Sequence, residues 1–117
     1  MQETISINIQ TKHFRESRGY TNPFHCPLAL SVKEFLDSSG EYPSYRMGCH
    51  LGNVWIYLLD EDLVVNYDVT FDWNDNQRVY KGEYKGYTIE EMILLAKKDP
   101  NLEFPTITLE LIRNKYL

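Results

Sequence analysis

Residues 22–36 read NPFHCPLALSVKEFL, and this stretch predicts the start and the buried face of an amphipathic helix. Pro27 suits the first helical position, where its missing N–H is not needed, so Cys26 falls at or beside the N-cap. Apolar residues follow at helical spacing. Their stripe consists of Leu28, Val32, Phe35 and Leu36, with Ala29 on its flank. The residues expected to face elsewhere are Ser31, Lys33, Glu34 and Asp37. Gly40 can adopt the left-handed conformation that ends such a helix.

Strictly alternating segments lie near both ends of the chain, at residues 4–9 and 106–111. Alternation of apolar and polar residues predicts half-buried strands, and we expect these two to pair in the centre of the sheet. Further strands are predicted at residues 54–59, 63–71 and 78–81. Residues 41–48 are expected to form a loop that becomes an extended edge. Residues 10–24 form a long connection with room for a short helical turn near residues 13–17.

A second helix is predicted after Thr88, because Glu91 completes a capping box and Tyr87 can pack on Met92. Its buried face is Ile89, Met92, Ile93 and Ala96, and Asp99-Pro100 ends it. The resulting order, β-α-β-β-(β)-α-β, predicts an α+β fold in a single domain over residues 1–117. We expect a two-layer sandwich in which a mostly antiparallel sheet of four or five strands carries two helices on one face.

Charge and composition exclude several classes of function. The chain has 117 residues and a net charge of −5, so broad nucleic-acid binding is not expected, although Lys12, Arg15 and Arg18 lie close in sequence. No apolar run approaches the roughly 18 residues of a membrane span, and the N-terminal residues do not resemble a signal peptide. The expected location is the cytoplasm, where the two cysteines would be free thiols.

Three segments resemble a pattern found in short uncharacterised phage and prophage proteins. Residues 11–14 (TKHF), Gly19 and residues 26–33 (CPLALSVK) are similar to a T-x-x-H step, a glycine and a C-P-[IVL]-A-x-A-[LV]-K helix. Residues 93–98 and 105–109 resemble the closing helix and strand. Ser31 replaces the second alanine, and residues 51–86 fall outside the match. The resemblance implies a phage or mobile-element origin, hence an infected or lysogenic bacterial host, and a compact α+β fold. It implies no catalytic site.

Cys26 is the first candidate for chemistry. A thiol at a helix N-terminus lies at the positive end of the helix dipole, which lowers its pKa. His25 is adjacent and His13 could approach from the preceding connection, so a cysteine-dependent enzyme is one hypothesis. The alternative is that Cys26 is a small buried N-cap residue.

Metal binding is a second candidate, since all histidines and cysteines lie in three places along the chain. His25, Cys26, Cys49 and His50 could supply four zinc ligands. However, neither C-x-x-C nor H-x-x-x-H spacing is present, and adjacent ligands rarely aim at one ion. We therefore expect no metal and no cofactor.

The third candidate is a ligand site in the tyrosine-rich middle of the chain, where aromatic rings could stack on a base and arginines could meet a phosphate. Its residues are Tyr42, Tyr45, Arg46, Trp55, Tyr57, Trp73, Arg78, Tyr80 and Tyr84. The leading hypothesis is a non-enzymatic, homo-oligomeric binding module that engages a host protein or a nucleotide-like ligand, as a host-defence antagonist would. A structural or regulatory phage protein with no small ligand is the other alternative.

Overall fold

Alternating apolar residues build the main sheet, and three helices cover it. The computed structural model describes residues 1–50, 53–69 and 86–114 together with the backbone of residues 78 and 79. The strands are β1 (Thr4–Ile9), β2 (Tyr45–His50), β3 (Asn53–Leu58), β4 (Leu63–Val69), β5 (Arg78–Val79), β6 (Tyr87–Thr88) and β7 (Ile107–Asn114). The helices are α1 (Thr11–Glu16), α2 (Pro27–Ser39) and α3 (Ile89–Lys98), and a 3-10 turn spans Leu59–Glu61.

The main sheet has five strands in the order β1-β7-β4-β3-β2, and every neighbouring pair is antiparallel. The α+β fold class is therefore confirmed. The two terminal strands pair as predicted, with Ile7 opposite Leu109. Both strands were expected in the centre of the sheet, and this is wrong for β1, which forms an edge. The reason is that β4 of the β3–β4 hairpin pairs with the side of β7 opposite β1.

The strand predicted at residues 78–81 is described only over residues 78–79, and this part lies outside the main sheet. Its described part, β5, pairs with β6 in a separate two-stranded ribbon. Residues 70–71 and 80–81 of the predicted strands lie outside the described residues. The extended edge predicted after residue 41 is β2, which pairs with β3 and forms the other edge of the sheet.

One face of the sheet is sealed, and its helical cover is larger than predicted. Inward side chains from the strands join α1, α2 and α3 in one buried core, centred on Phe14, Leu36, Tyr67 and Ile89. Two helices were expected on this face, and residues 11–16 form a third, where only a short helical turn was predicted near residues 13–17. Gln10 and His13 cap α1 reciprocally, which replaces the usual Ser/Thr–Glu pair and so leaves no standard signal in the sequence.

Helix α2 begins and ends as predicted. The Sγ atom of Cys26 accepts a hydrogen bond from the Ala29 N–H at 3.3 Å, and Gly40 adopts a left-handed φ of 70°. Ser31 is a correction, because it is buried rather than outward-facing. Its hydroxyl donates to the Leu28 carbonyl oxygen at 2.7 Å, so the buried polar group is satisfied within the helix.

Helix α3 is fixed at its C-terminal end by Arg15 of α1. The Arg15 guanidinium donates to the carbonyl oxygens of Ala96 at 2.9 Å, Asp99 at 3.2 Å and Leu102 at 2.9 Å. The Ala96 carbonyl lies in the last turn of α3, where a helix leaves acceptors unpaired and its dipole attracts a cation, and the other two follow the helix. Lys97 returns a hydrogen bond to the Arg15 carbonyl oxygen. Arg15 is thus engaged in the fold and does not contribute to a free basic patch.

Replacing Arg15 by Met should lower the free energy of unfolding by about 2 kcal/mol, because hydrogen bonds to a charged donor are lost and helix carbonyls are left unpaired. Urea unfolding measures the change. Arg18→Met is the matched control, since Arg18 is exposed, and it should stay within about 0.5 kcal/mol of the natural protein. Equal losses in both variants would contradict the assigned role of Arg15.

Candidate functional site

The sheet has a second face, opposite the helices, and the register assigns its residues. Successive side chains of a strand point to opposite faces. Ile56 and Val65 are cross-strand partners that point inward, so they lie on the sealed side. The residues directly before and after each of them lie on the other side. We call the second side the open face. It carries Thr4, Ser6, Asn8, Arg46, Gly48, Trp55, Tyr57, Val64, Asn66, Asp68 and Ile112. Val64 is 52% exposed and Ile112 is 46% exposed, so apolar surface lies on this face.

Trp55 lies against Gly48 of the neighbouring strand. A Cβ atom built on Gly48 would lie 2.7, 2.8 and 2.9 Å from three atoms of the indole ring, closer than real Cβ atoms come. Only glycine therefore leaves room for the ring to lie on the edge strand, as aromatic residues do over edge glycines. Phe24 meets Trp55 edge to face at a centroid distance of 6.3 Å and is itself 52% exposed.

Arg46 and Tyr57 lie side by side in the next row of the open face, where they are direct cross-strand partners. The Tyr57 hydroxyl donates to Asp62 Oδ1 at 2.6 Å. This hydrogen bond and the nearby Asp62 charge raise the pKa of the Tyr57 phenol. Together, Phe24, Arg46, Trp55, Tyr57 and Val64 form what we call the aromatic patch.

The sequence-predicted ligand set is split by the pleat of the sheet. Arg46, Trp55 and Tyr57 share the open face, whereas Tyr45 is the partner of Leu58, on the opposite face to Arg46. The Tyr45 hydroxyl donates to Asp37 Oδ1 at 2.6 Å on α2, and burial followed by this bond raises the pKa of Tyr45. Tyr42 also packs against the core, and its burial raises its pKa.

Four members of the predicted set cannot be placed with the others. Trp73, Tyr80, Tyr84 and the side chain of Arg78 lie outside the described residues. Sequence reasoning missed Phe24, Val64 and Ile112. The alternation of residues 63–69 contained a signal for Val64, because its neighbours Val65 and Tyr67 point inward.

Cys26 and Cys49 are free, buried thiols that contact each other. The hydrogen bond from Cys49 lowers the pKa of Cys26 against the opposing effect of burial, and the same bond with burial raises the pKa of Cys49. The Cys49 N–H donates to the Pro23 carbonyl oxygen at 2.8 Å, which brings the segment before α2 onto β2. Cys26 is 2% exposed, so the pair is shielded from solvent.

His13 is engaged at both ring nitrogens. Its Nδ1 accepts from the Gln10 N–H at 2.9 Å, so the proton lies on Nε2, which donates to Glu34 Oε2 at 2.7 Å. The ring therefore joins α1 to α2. Among the described residues, no hydrogen bond is found between Cys26 and either His13 or His25.

The proposed zinc ligands are only partly brought together. Cys26 and Cys49 meet, while His50 is an exposed residue at the end of β2 on the other face of the sheet from Cys49. Within residues 1–50, 53–69 and 86–114, no three His, Cys, Asp or Glu side chains converge where they could hold a metal ion.

Comparison with known proteins gives no match of this chain to any family model, curated protein or solved structure. The resemblance to phage proteins therefore stays a prediction. In the part of the chain that the structure describes, no helix combines the length and apolar composition of a membrane span.

Replacing Gly48 by Ala should lower the free energy of unfolding by about 1–3 kcal/mol, because the new methyl group must displace the Trp55 ring. Urea unfolding measures the loss. In a Trp55→Leu background the ring is gone, so the same Gly48→Ala change should cost clearly less. An identical cost in both backgrounds would show that the ring does not occupy the space above Gly48.

The Lys12–Glu34–His13 cluster makes stability depend on pH. The hydrogen bonds from Lys12 and then His13 lower the pKa of the Glu34 carboxyl. A lowered pKa means that the stabilisation is present above the ordinary value of about 4.3 and is lost as pH falls through the lowered value.

The natural protein should therefore unfold with a free energy up to about 1 kcal/mol higher than Glu34→Gln at neutral pH, a small effect because the Glu34 side chain is 45% exposed. The difference should shrink as pH falls below about 4. Denaturant unfolding across this range tests it, with exposed Glu16→Gln as the control. A difference that stays constant with pH would refute the linkage.

Proposed function

We propose that this chain is a small non-enzymatic accessory protein of phage type that binds a host protein through the aromatic patch. It acts in the cytoplasm of an infected or lysogenic bacterium, and it self-associates. The phage origin is supported by the resemblance of residues 11–14 and 26–33. The binding role is supported by one observation, which is that exposed Phe24 and Val64 flank the half-buried rings of Trp55 and Tyr57.

The composition of the aromatic patch fits a protein interface. Trp, Tyr and Arg are the residue types that carry most binding energy at such interfaces, and exposed apolar neighbours exclude water around them. Phe24 and Val64 supply those neighbours, each with 52% of its surface exposed. Trp55 is already held by Gly48, so little side-chain entropy is lost on binding.

A nucleotide-like ligand is the second candidate, and a separate observation favours it. Trp55 offers an aromatic ring for stacking, and Arg46 lies one row away on the same face with a guanidinium that can bind a phosphate. The net charge of −5 favours a small ligand over a long nucleic acid, whose repeated phosphates the acidic surface repels.

Native mass spectrometry of the protein purified from its host extract without chelator separates these candidates. A complex with a host protein is the expected result. Added mass near that of a nucleotide, with a thermal shift by cyclic oligonucleotides or nucleotide–ribose metabolites, would favour the second. A protein that retains neither, and shows no thermal shift, would contradict both.

Point variants then test the surface. Trp55→Ala should weaken partner binding by about thirtyfold or more, as the loss of a central aromatic side chain does. Val64→Asp should weaken it too, because it places a charge inside the apolar contact. The matched control is Leu94→Asp, which changes a 63% exposed leucine on α3 instead. Binding that is lost in Leu94→Asp and kept in Val64→Asp would place the site elsewhere.

A further inference from the structure

The outer edge of β1 carries backbone groups with no hydrogen-bond partner among residues 1–50, 53–69 and 86–114. The Arg113 N–H donates to the Glu3 carbonyl oxygen at 2.8 Å, so the hydrogen-bonded pairs with β7 are formed by Ile5, Ile7 and Ile9. The N–H and C=O groups of Thr4, Ser6 and Asn8 therefore point away from the sheet. No backbone group of the described residues hydrogen-bonds to them.

The two edges of the sheet differ in how they are protected. At the β2 edge, the Cys49 N–H donates a hydrogen bond to the Pro23 carbonyl oxygen, and the strand contains Arg46 and Gly48. Charges, proline, bulges and covering segments are the usual means of blocking further strand pairing. β1 has no charge, proline or bulge, since its sequence TISINI is regular and uncharged.

A groove runs along the same edge on the helical side. It has a volume of about 180 Å³. One wall is formed by Ser6, Ile7, Asn8 and Gln10, and the other by Ser31, Glu34, Phe35 and Ser38 of α2. A strand added to β1 would direct every second side chain into this groove, so an apolar side chain at those positions would pack against Phe35.

A second copy of β1 supplies backbone groups that match this edge, while its isoleucines stay buried in its own core. In an antiparallel pair centred on Ser6, Ser6 faces the partner's Ser6, and Thr4 faces the partner's Asn8. These are the residues with outward backbone groups, and each such pair exchanges two hydrogen bonds. Ile5 then lies opposite the partner's Ile7 on the helical side, and no charged residues lie opposite each other in the two strands.

We infer that β1 is the self-association surface of this protein and that it pairs with β1 of a second copy to form one continuous sheet. A two-fold axis passes between the paired Ser6 residues, so the helices of both copies lie on the same side of the joined sheet. This inference rests on the self-association within the proposed function, and it leaves the aromatic patch free on each copy.

A charge exchange at Ser6 tests the pairing. The natural protein should sediment as a dimer. Ser6→Lys and Ser6→Glu should each weaken the dimer by at least about tenfold, because like charges meet at the axis. An equimolar mixture of the two variants should regain the dimer as a heterodimer, which native mass spectrometry identifies. The control Asn66→Lys adds the same charge on the same face of inner strand β4, away from β1, and should leave the dimer intact.

Several results would overturn the inference. These are a monomeric natural protein at all concentrations, a dimer that both Ser6 variants retain, and a mixture that fails to recover. Dissociation by Val64→Asp instead would assign self-association to the open face. Amide hydrogen exchange of the natural protein gives a second measurement, since Thr4, Ser6 and Asn8 should become protected as concentration rises. Partner binding is measured separately, so failure here is distinguishable from failure of the proposed function.

Discussion

The backbone register of the sheet is the constraint on which the rest of the structure depends. Because side chains alternate between faces, pairing Ile56 with Val65 and Ile7 with Leu109 places all inward residues on one side at once. The helices cover that side, and hydrogen bonds join them to each other in addition to their packing on the sheet. Arg15 joins α1 to the end of α3, and His13 joins α1 to Glu34 of α2. None of the three described helices packs on the opposite side.

Much of this fold could be predicted from local patterns. The alternating termini, the Cys26-Pro27 helix start and the Thr88–Glu91 capping box all act within a few residues, so the sequence alone contains them. α1 was harder to predict, because it has only six residues and its cap is an unusual pair of reciprocal hydrogen bonds between Gln10 and His13. The edge position of β1 depends on which side of β7 pairs with β4, and no local sequence pattern predicts this pairing.

The candidate site was predictable only in part for the same reason. Arg46 and Tyr45 are neighbours in sequence, but the pleat places their side chains on opposite faces of the sheet. A set of residues chosen by composition therefore contained side chains from both faces. The groups that suggested catalysis are used by the fold. His13 is held by Gln10 and Glu34, and Cys26 caps α2 while it contacts Cys49 across 23 residues of sequence. The proposed recognition surface therefore consists of side chains on the open face.

Hydroxyl-radical footprinting of the isolated protein tests this division most directly, because it compares residues of one type on the two faces. Tyr57 and Ile112 should be oxidised much faster than Tyr67 and Ile56, which are fully buried on the sealed face. That result would establish that the open face is exposed while the other face is sealed. Equal oxidation within each pair, or protection of Tyr57 and Ile112, would contradict the account.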